Sequence, residues 1–262
     1  MEQEITELFT LISEAKHCIA LTGAGVSTLS GIRDFRGKNG LYKEMDAEKI
    51  FDINYFYRDP TFYYTNSKDF IYNMELKQPS IVHTTLGKLE EKGFVKAVIT
   101  QNIDLLHTRG GSKNVIEIHG SPRAHYCIRC QSSAHAEEAI LAGEIKARGF
   151  MEAEEAAAIV QSGEFPRCGN CNEILKPAIT FFGESLPVHA LAAAEREAKA
   201  ADLMLVLGTS LTVYPAAAIP NITQRSGGKI VIVNDMETPM DSQACLRFWD
   251  LAPVFDHITC LL

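Results

Sequence analysis

Two Cys-x-x-Cys pairs, Cys127/Cys130 and Cys168/Cys171, have a spacing that itself implies chemistry. Each pair can form a tight turn that presents two thiolates, and two such turns supply the four sulfurs of a tetrahedral zinc ion. Four sulfur ligands leave no open coordination position, so the expected role of the metal is structural. Either pair alone could be a redox dithiol; the two together favour metal. Cys18, Cys245 and Cys260 lie in apolar stretches and are expected to be buried free thiols. An odd cysteine count without a secretion signal points to a reducing compartment.

The second stretch with chemical content is GAGVSTLSGIRDFRG, Gly23 to Gly37. It follows Ile19-Ala20-Leu21, an apolar run expected to be a buried parallel strand. Glycines at 23 and 25 allow a sharp turn and a close backbone approach, as at a pyrophosphate. The third glycine of a dinucleotide fingerprint is missing, because Thr28 stands there. Arg33, Asp34, Phe35 and Arg36 follow, a charged and aromatic group that is costly to place on a loop without a ligand. Further polar stretches close apolar runs downstream: Gln101-Asn102-Ile103-Asp104 after residues 95–100, His119-Gly120 after 115–118, Gly208-Thr209-Ser210 after 203–207, and Asn234-Asp235 after 229–233. In open α/β sheets ligands collect at that edge.

The elements that must position these residues follow from periodicity. Helical spacing is expected over 3–17, 83–92 and 188–200, with a further short strand over 179–182. Strands alternating with helices imply a doubly wound parallel sheet. The fold class is therefore α/β: a Rossmann-like domain of residues 1–38, 80–120 and 176–262. A smaller domain combines a helical insertion, 39–79, with a zinc-binding module, 121–175. The aromatics of the insertion are expected to form its core, Phe51 excepted. With 262 residues, 46% of them hydrophobic, there is chain enough for a sizeable core. A net charge of −8 argues against a nucleic-acid partner. No targeting segment or apolar span is apparent, so a cytoplasmic protein without membrane contact, and a monomer, is expected.

Taken together, GAGVSTLSGIRDFRG, TQNIDLLH at 100–107, His119-Gly120, the cysteine pairs, KPAITFFGE at 176–184, GTSL at 208–211 and Val233-Asn234 resemble a sirtuin, in order and over nearly the whole chain. The chain is most similar to compact bacterial and archaeal members. The resemblance implies an NAD-dependent protein-lysine deacetylase. It would release nicotinamide and pass the acetyl group to ADP-ribose as O-acetyl-ADP-ribose, with NAD as co-substrate and zinc as structural metal. It further implies His119 as the base that activates the ribose hydroxyls, Asn102 positioning the ribose and a water, and Asp104 accepting from the nicotinamide carboxamide. Gln101 would meet ribose hydroxyls, beside Ile103, and Phe35 would cover the reactive carbon, with Arg36 near the phosphates. Gly23, Ala24, Gly25, Thr28, Gly208, Thr209 and Ser210 would line the diphosphate. Asn234 and Asp235 would take the adenosine ribose, and Asp250 and Leu251 would flank adenine. An acetylated-lysine peptide would add as a strand between Gly183-Glu184-Ser185 and residues 211–214, which include Val213 and Tyr214. Its acyl-lysine stem would cross an apolar tunnel of Phe35, Phe51, Phe182 and Val213. Thr180 stands where the family usually has an aliphatic residue.

Family members that prefer succinyl or malonyl groups carry Tyr-x-x-Arg downstream of an Asp-Pro. Here Tyr55-x-x-Arg58 precedes Asp59-Pro60, and Ser67 and Phe70 occupy the matching positions. Acetyl or another neutral short acyl group is therefore expected, since a carboxylate would be buried unpaired. Three alternatives stand beside this. Protein mono-ADP-ribosyltransfer would use the same NAD pocket. A hydride-transferring dehydrogenase is disfavoured by Thr28 and by the lack of an acidic residue closing the second strand. A non-catalytic zinc-ribbon module leaves RDFRG and QNID unexplained.

Overall fold

A computed structural model describes residues 2–34, 40, 47–144 and 149–262. In chain order the strands are β1 (Cys18–Thr22), β2 (Val95–Thr100), β3 (Val115–Glu117), β4 (Gly120–Tyr126), β5 (Phe150–Glu152), β6 (Lys176–Ile179), β7 (Leu203–Leu207), β8 (Lys229–Val233) and β9 (Leu246–Phe248). The chain divides into two units: unit 1 is Met1–Asp34, Gln78–Ile118 and Leu191–Leu262, and unit 2 is Phe35–Lys77 and His119–Ala190.

Unit 1 carries a parallel six-stranded sheet of order β3-β2-β1-β7-β8-β9. Every residue of β1 and β7 is buried, as expected of strands covered by helices on both faces. Alternate strand residues, among them Ala20, Val98, Leu205 and Val231, pack with Ile5, Leu8, Val82, Leu86, Val254 and Phe255 of three flanking helices into one apolar core. The strand order reverses between β1 and β7, which makes their carboxyl ends the topological switch point of the sheet. Strands at 18–22, 95–100, 203–207 and 229–233 lie where the sequence puts them. β9 was not expected: its three residues are too few to show a period, and its pairing with β8 defines it.

In unit 2, β4 is the centre of an antiparallel sheet of order β5-β4-β6. The strand expected over 179–182 is instead β6, Lys176–Ile179, and it pairs with β4 rather than joining the parallel sheet. Residues 176–190 accordingly group with unit 2, where the sequence-based division had put them in the larger domain. The helical insertion runs through Ile53–Arg58 and Pro60–Ile71. Tyr63 sits edge-on to Phe51 and Phe56, all buried, and Phe181 from beyond β6 joins them. Phe51 is thus part of the aromatic core as well, while Tyr57 departs from expectation by being exposed. Buried polar contacts bind insertion to sheet: Tyr64 donates to the Leu175 carbonyl (2.6 Å) and the Tyr72 hydroxyl meets His125 Nε2 (2.9 Å).

Candidate active site

At the carboxyl edge of the unit 1 sheet the loops after β1, β2, β7 and β8 are bonded to one another. Gly23 N–H donates to the Leu207 carbonyl (3.0 Å), Gly25 N–H to the Gly208 carbonyl (2.9 Å), and Gly208 N–H to the Val233 carbonyl (2.9 Å). The close approach that the glycines allow is made first to protein. A Cβ on Gly25 would lie 2.7 Å from Gly208 Cα, and one on Gly208, whose φ is +59°, would lie 2.6 Å from Val26 N. Side chains are therefore excluded from both loops by each other's backbone.

The loop after β2 is wired into the same edge. Gln101 Nε2 donates to Thr209 Oγ1 (3.0 Å), and Asn102 Nδ2 donates to the Gly23 carbonyl (3.0 Å) and to Ser27 Oγ (3.1 Å). Both amide hydrogens of Asn102 are thus engaged, so what it offers a ligand is its carbonyl oxygen. Asp104, buried, accepts from Ser27 Oγ (2.6 Å) and from Leu106 N–H (2.9 Å). Ile103 is half-buried, and Leu105 and Leu211, in neighbouring loops, hold positive φ of 61° and 52°. Such conformations are strained for branched residues and cluster where loops are fixed for function.

A hydrogen-bonded network around His107, not legible in the sequence, lies beneath these loops. His107 Nε2 meets Thr22 Oγ1 at 2.8 Å, and Thr22 donates to Thr100 Oγ1 (2.9 Å), which also accepts Asn102 N–H (3.1 Å). With the Thr22 proton spent on Thr100, the His107 proton sits on Nε2. His83 lies beside it, ring centroids 4.6 Å apart, with Nδ1 against Ser80 Oγ (2.7 Å). Burial pushes His83 down to about 4, with Asp104 pulling the other way. Burial also holds His107 well below the usual imidazole range, and the neighbouring His83 adds to the effect. Both rings are neutral spacers under the loop.

The remaining predicted contacts divide. Ala24 is half-buried, and Thr209 and Asn234 are buried at the edge; Asn234 Nδ2 donates to the Met236 carbonyl (2.8 Å), and Asp235 is exposed. Thr28 turns its hydroxyl back to the Gly25 carbonyl (2.8 Å), and Ser210 Oγ meets Thr212 Oγ1 (2.9 Å). Asp250 caps the helix Leu251–Leu261 by accepting from Ala252 N–H (3.0 Å), and Leu251 lies in the apolar core. Val213 is half-buried and Tyr214 exposed. Phe35 and Arg36 lie outside the described residues.

Ile118 extends the β3–β2 ladder by donating to the Thr100 carbonyl (3.0 Å), and His119 is the next residue. Within unit 2 the His119 carbonyl accepts from Thr180 N–H at 2.8 Å. A Cβ on Gly120, whose φ is +76°, would lie 2.4 Å from the Ala178 carbonyl oxygen, so glycine alone lets β4 and β6 close directly behind His119. Phe182 is 39% exposed and Gly183 is exposed, with φ +92°. The Glu184 carboxylate turns inward to Lys176 Nζ, 2.9 Å away.

The sulfurs of Cys127, Cys130, Cys168 and Cys171 lie within 4.8 Å of one another. Three separations are 3.5, 3.6 and 3.9 Å. Four sulfurs ~2.3 Å from a tetrahedral zinc stand ~3.8 Å apart, so this donor set fits zinc with no open position. Asn170 N–H donates to Cys168 Sγ (3.4 Å), orienting one ligand. Outside the cluster only Cys18 is buried; Cys245 and Cys260 are exposed, contrary to expectation, because one sits at the edge strand and the other in the last turn of the chain.

The chain is similar to known proteins over most of its length. The model of the Sir2 family matches residues 23–215. An NAD-dependent protein deacetylase of Thermotoga maritima is 46% identical, over 94% of this chain and 92% of that protein. A solved Sir2 structure with a deacetylated p53 peptide and 3'-O-acetyl-ADP-ribose superposes with a TM-score of 0.85 at 44% identity, covering 97% of this chain and 96% of the other. Another, Sir2 with a p53 peptide and NAD+, gives 0.83 at 42% identity, covering 98% and 96%. A match of this extent, spanning the glycine loop, the Asn102 loop, His119 and all four cysteines, means that the chain belongs to the Sir2 family.

Proposed function

We infer that the protein is an NAD-dependent protein-lysine deacetylase: it transfers the acetyl group of acetyl-lysine to ADP-ribose and releases nicotinamide and O-acetyl-ADP-ribose. The observation that carries this is the carboxyl edge of the unit 1 sheet, where four loops are bonded into one polar rim. Backbone N–H groups of Ala24, Thr209 and Ser210 suit the diphosphate of NAD, and Asn234 suits the adenosine ribose. In this proposal the Asn102 carbonyl oxygen accepts from a ribose hydroxyl or a water, and Asp104, fixed by Ser27 and Leu106 N–H, accepts from the nicotinamide carboxamide. His119 acts as the base for the ribose hydroxyls once nicotinamide has left; a neutral imidazole suits proton transfer near pH 7. Anchoring of its neighbour Ile118 to the end of β2 and of its own carbonyl to Thr180 supports a fixed position for it. Zinc, held by Cys127, Cys130, Cys168 and Cys171, supplies no reactive chemistry and keeps the module folded.

The substrate proposed is a peptide carrying acetyl-lysine or another neutral short acyl group, added as a strand along 183–185 and 211–214. A cytoplasmic monomer is part of the proposal, resting on the acidic charge and the free thiols. Among the described residues no helix is long and apolar enough to cross a membrane. An acetyl-lysine peptide incubated with and without NAD, with mass analysis of products, tests the proposal. O-acetyl-ADP-ribose is expected only with NAD; an ADP-ribosylated protein or peptide with no acetyl transfer would favour the ADP-ribosyltransferase alternative. His119→Ala should lower kcat by ~10²–10⁴-fold with an unchanged melting temperature. A variant as fast as wild type would remove His119 as the base.

A further inference from the structure

Lys176 has 1% of its surface exposed. Its ammonium has three acceptors: the Ile179 carbonyl (2.6 Å), Glu184 Oε2 (2.9 Å) and the Pro177 carbonyl (3.2 Å). That uses every donor a lysine has. The cation also lies over the Phe181 ring, 4.2 Å from its centroid, and 5.5 Å from that of Tyr126. Burial lowers the lysine pKa, and the Glu184 carboxylate counters this by favouring the charged form. The same Glu184 oxygen accepts from Phe181 N–H at 2.7 Å.

The partners of this ion pair all lie on one short segment. Buried ion pairs are poor sources of net stability, because desolvation offsets their attraction; their best use is to specify a geometry. The geometry specified here has two sides. Backbone groups of Pro177, Ile179 and Phe181 point to the Lys176–Glu184 pair. Those of the intervening residues hold other elements: Thr180 N–H bonds the His119 carbonyl (2.8 Å), Phe182 N–H the Phe51 carbonyl (2.7 Å), and Ile53 N–H the Phe182 carbonyl (3.1 Å). The run ends in the exposed Gly183 and in Glu184 itself, whose N–H closes a turn on the Phe181 carbonyl (3.0 Å).

We propose that the Lys176–Glu184 pair is a positioning device: it sets the segment that backs His119 and shapes the Gly183–Ser185 edge to which the acyl-lysine peptide adds. Lys176 touches no substrate; it acts through the backbone it holds. The proposal rests on the deacetylase function above. It bears on the peptide side of binding, because every group it holds belongs to unit 2. The loops proposed above for the diphosphate, the adenosine ribose and the nicotinamide carboxamide (Ala24, Asn102–Asp104, 208–210 and Asn234) lie in unit 1, and His119, which it backs, acts only once nicotinamide has left.

Steady-state kinetics of the full chain, varying acetyl-lysine peptide and NAD separately, test it. Lys176→Met should raise the peptide KM ~10-fold or more while the NAD KM stays within ~2-fold, since ground-state contacts to one substrate alone are loosened. Glu184→Gln, which keeps an acceptor for both Lys176 and Phe181, should raise the peptide KM ~3-fold. The double variant should bind peptide better than Lys176→Met alone, because it removes the buried carboxylate left without its cation. A merely structural role would lower the melting temperature and the active fraction and leave the peptide KM where it was. An unchanged peptide KM in Lys176→Met, or a parallel rise in both KM values, overturns the proposal. If Lys176→Met does not fold, an unchanged peptide KM in Glu184→Gln overturns it equally. A wild-type protein unable to transfer acetyl from the peptide would overturn the deacetylase function, and this role with it.

Discussion

Unit 1 holds its loops with apolar strands, whereas unit 2 holds its own with sulfur ligands and a buried charge pair. Under the rim of unit 1 lies a sheet in which Ala20, Val98, Leu205 and Val231 are fully or almost fully enclosed, with three helices packed on one face. The rim loops then lock by backbone alone, Gly25 against Gly208. Unit 2 has only short strands around β4, and the apolar cluster beside its cysteines is small: Cys127, Cys168 and Leu175, with Met151 and Cys171 against them. So little apolar area cannot offset the entropy of ordering the long loop between the cysteine pairs. Metal coordination and the buried Lys176–Glu184 pair take over that task. One chain thus contains a sheet stabilised by buried area and a zinc module stabilised by valence and charge, while Phe51, Phe56, Tyr63 and Phe181 give the helical insertion an apolar core of its own.

Stripping the zinc is the sharpest way to break that comparison. Apparent binding free energies of structural zinc reach ~10 kcal/mol or more, so its loss exceeds anything the small cluster around Cys127 can replace. In a chelated protein, amide exchange protection should vanish across 121–175 and persist in β1, β2, β7 and β8. Deacetylation should cease. Trp249, the single tryptophan, sits in unit 1 with the Arg247 guanidinium 3.9 Å from its ring, and its fluorescence should hardly change. Simultaneous loss of protection in both units would show that unit 1 leans on the metal as well.

The same physical division decides what the amino-acid sequence displays. Runs such as Leu203–Leu207 and Ile230–Val233 are continuous and apolar because both faces are buried, and that makes them visible. The ligand edge is visible too, since glycines and amides interrupt those runs abruptly at 23, 101, 208 and 234. β6 is not visible: Pro177 breaks its pattern, and Lys176 looks like a solvated end when it is almost fully enclosed. Its ion-pair partner, Glu184, is eight positions on, in the stretch that the resemblance gives to the peptide. The Thr22–Thr100–His107 chain was hidden because each member, taken alone, is an ordinary strand or loop residue. Only the parallel register of β1 and β2, which pairs Thr22 with Thr100, brings them together. The cysteine pairs show the opposite limit, a spacing so restrictive that the ligand set follows from it directly.

A smaller effect sharpens the comparison within unit 1, where the histidines are the exception to stabilisation by area. His83 and His107 are kept neutral in the fold, while in the unfolded chain they titrate near 6.5. The unfolded state therefore binds more protons below that value. The stability gained from burying neutral rings is full above about 6.5 and is lost as pH falls below it, for His83 toward about 4. Each histidine contributes a slope of up to ~1.4 kcal/mol per pH unit in that window. Urea unfolding followed by Trp249 fluorescence should accordingly give a stability at pH 5 lower by at least ~2 kcal/mol than at pH 7. Equal stabilities at the two pH values would mean that the rings take up protons without unfolding and are not sealed as the fold describes.

The smallest effect concerns Asp250, for which two roles compete. The sequence puts it beside adenine, while the fold spends its carboxylate on Ala252 N–H at the start of the last helix. That helix contributes Val254, Phe255 and Ile258 to the main core, so the cap holds an element that matters. Asp250→Ala should cost ~1 kcal/mol of stability, the usual price of a lost N-cap. Asp250→Ser retains a capping oxygen and should restore that stability. If the 250–251 backbone is what flanks adenine, a frayed cap loosens it, and Asp250→Ala should raise the NAD KM modestly while Asp250→Ser returns it to wild type. A carboxylate that touches the nucleotide directly would behave otherwise: the serine variant would be as stable as wild type and still bind NAD poorly. Stability and NAD KM measured on the same two variants therefore separate a capping role that serves the site through backbone from a contact made by the side chain itself.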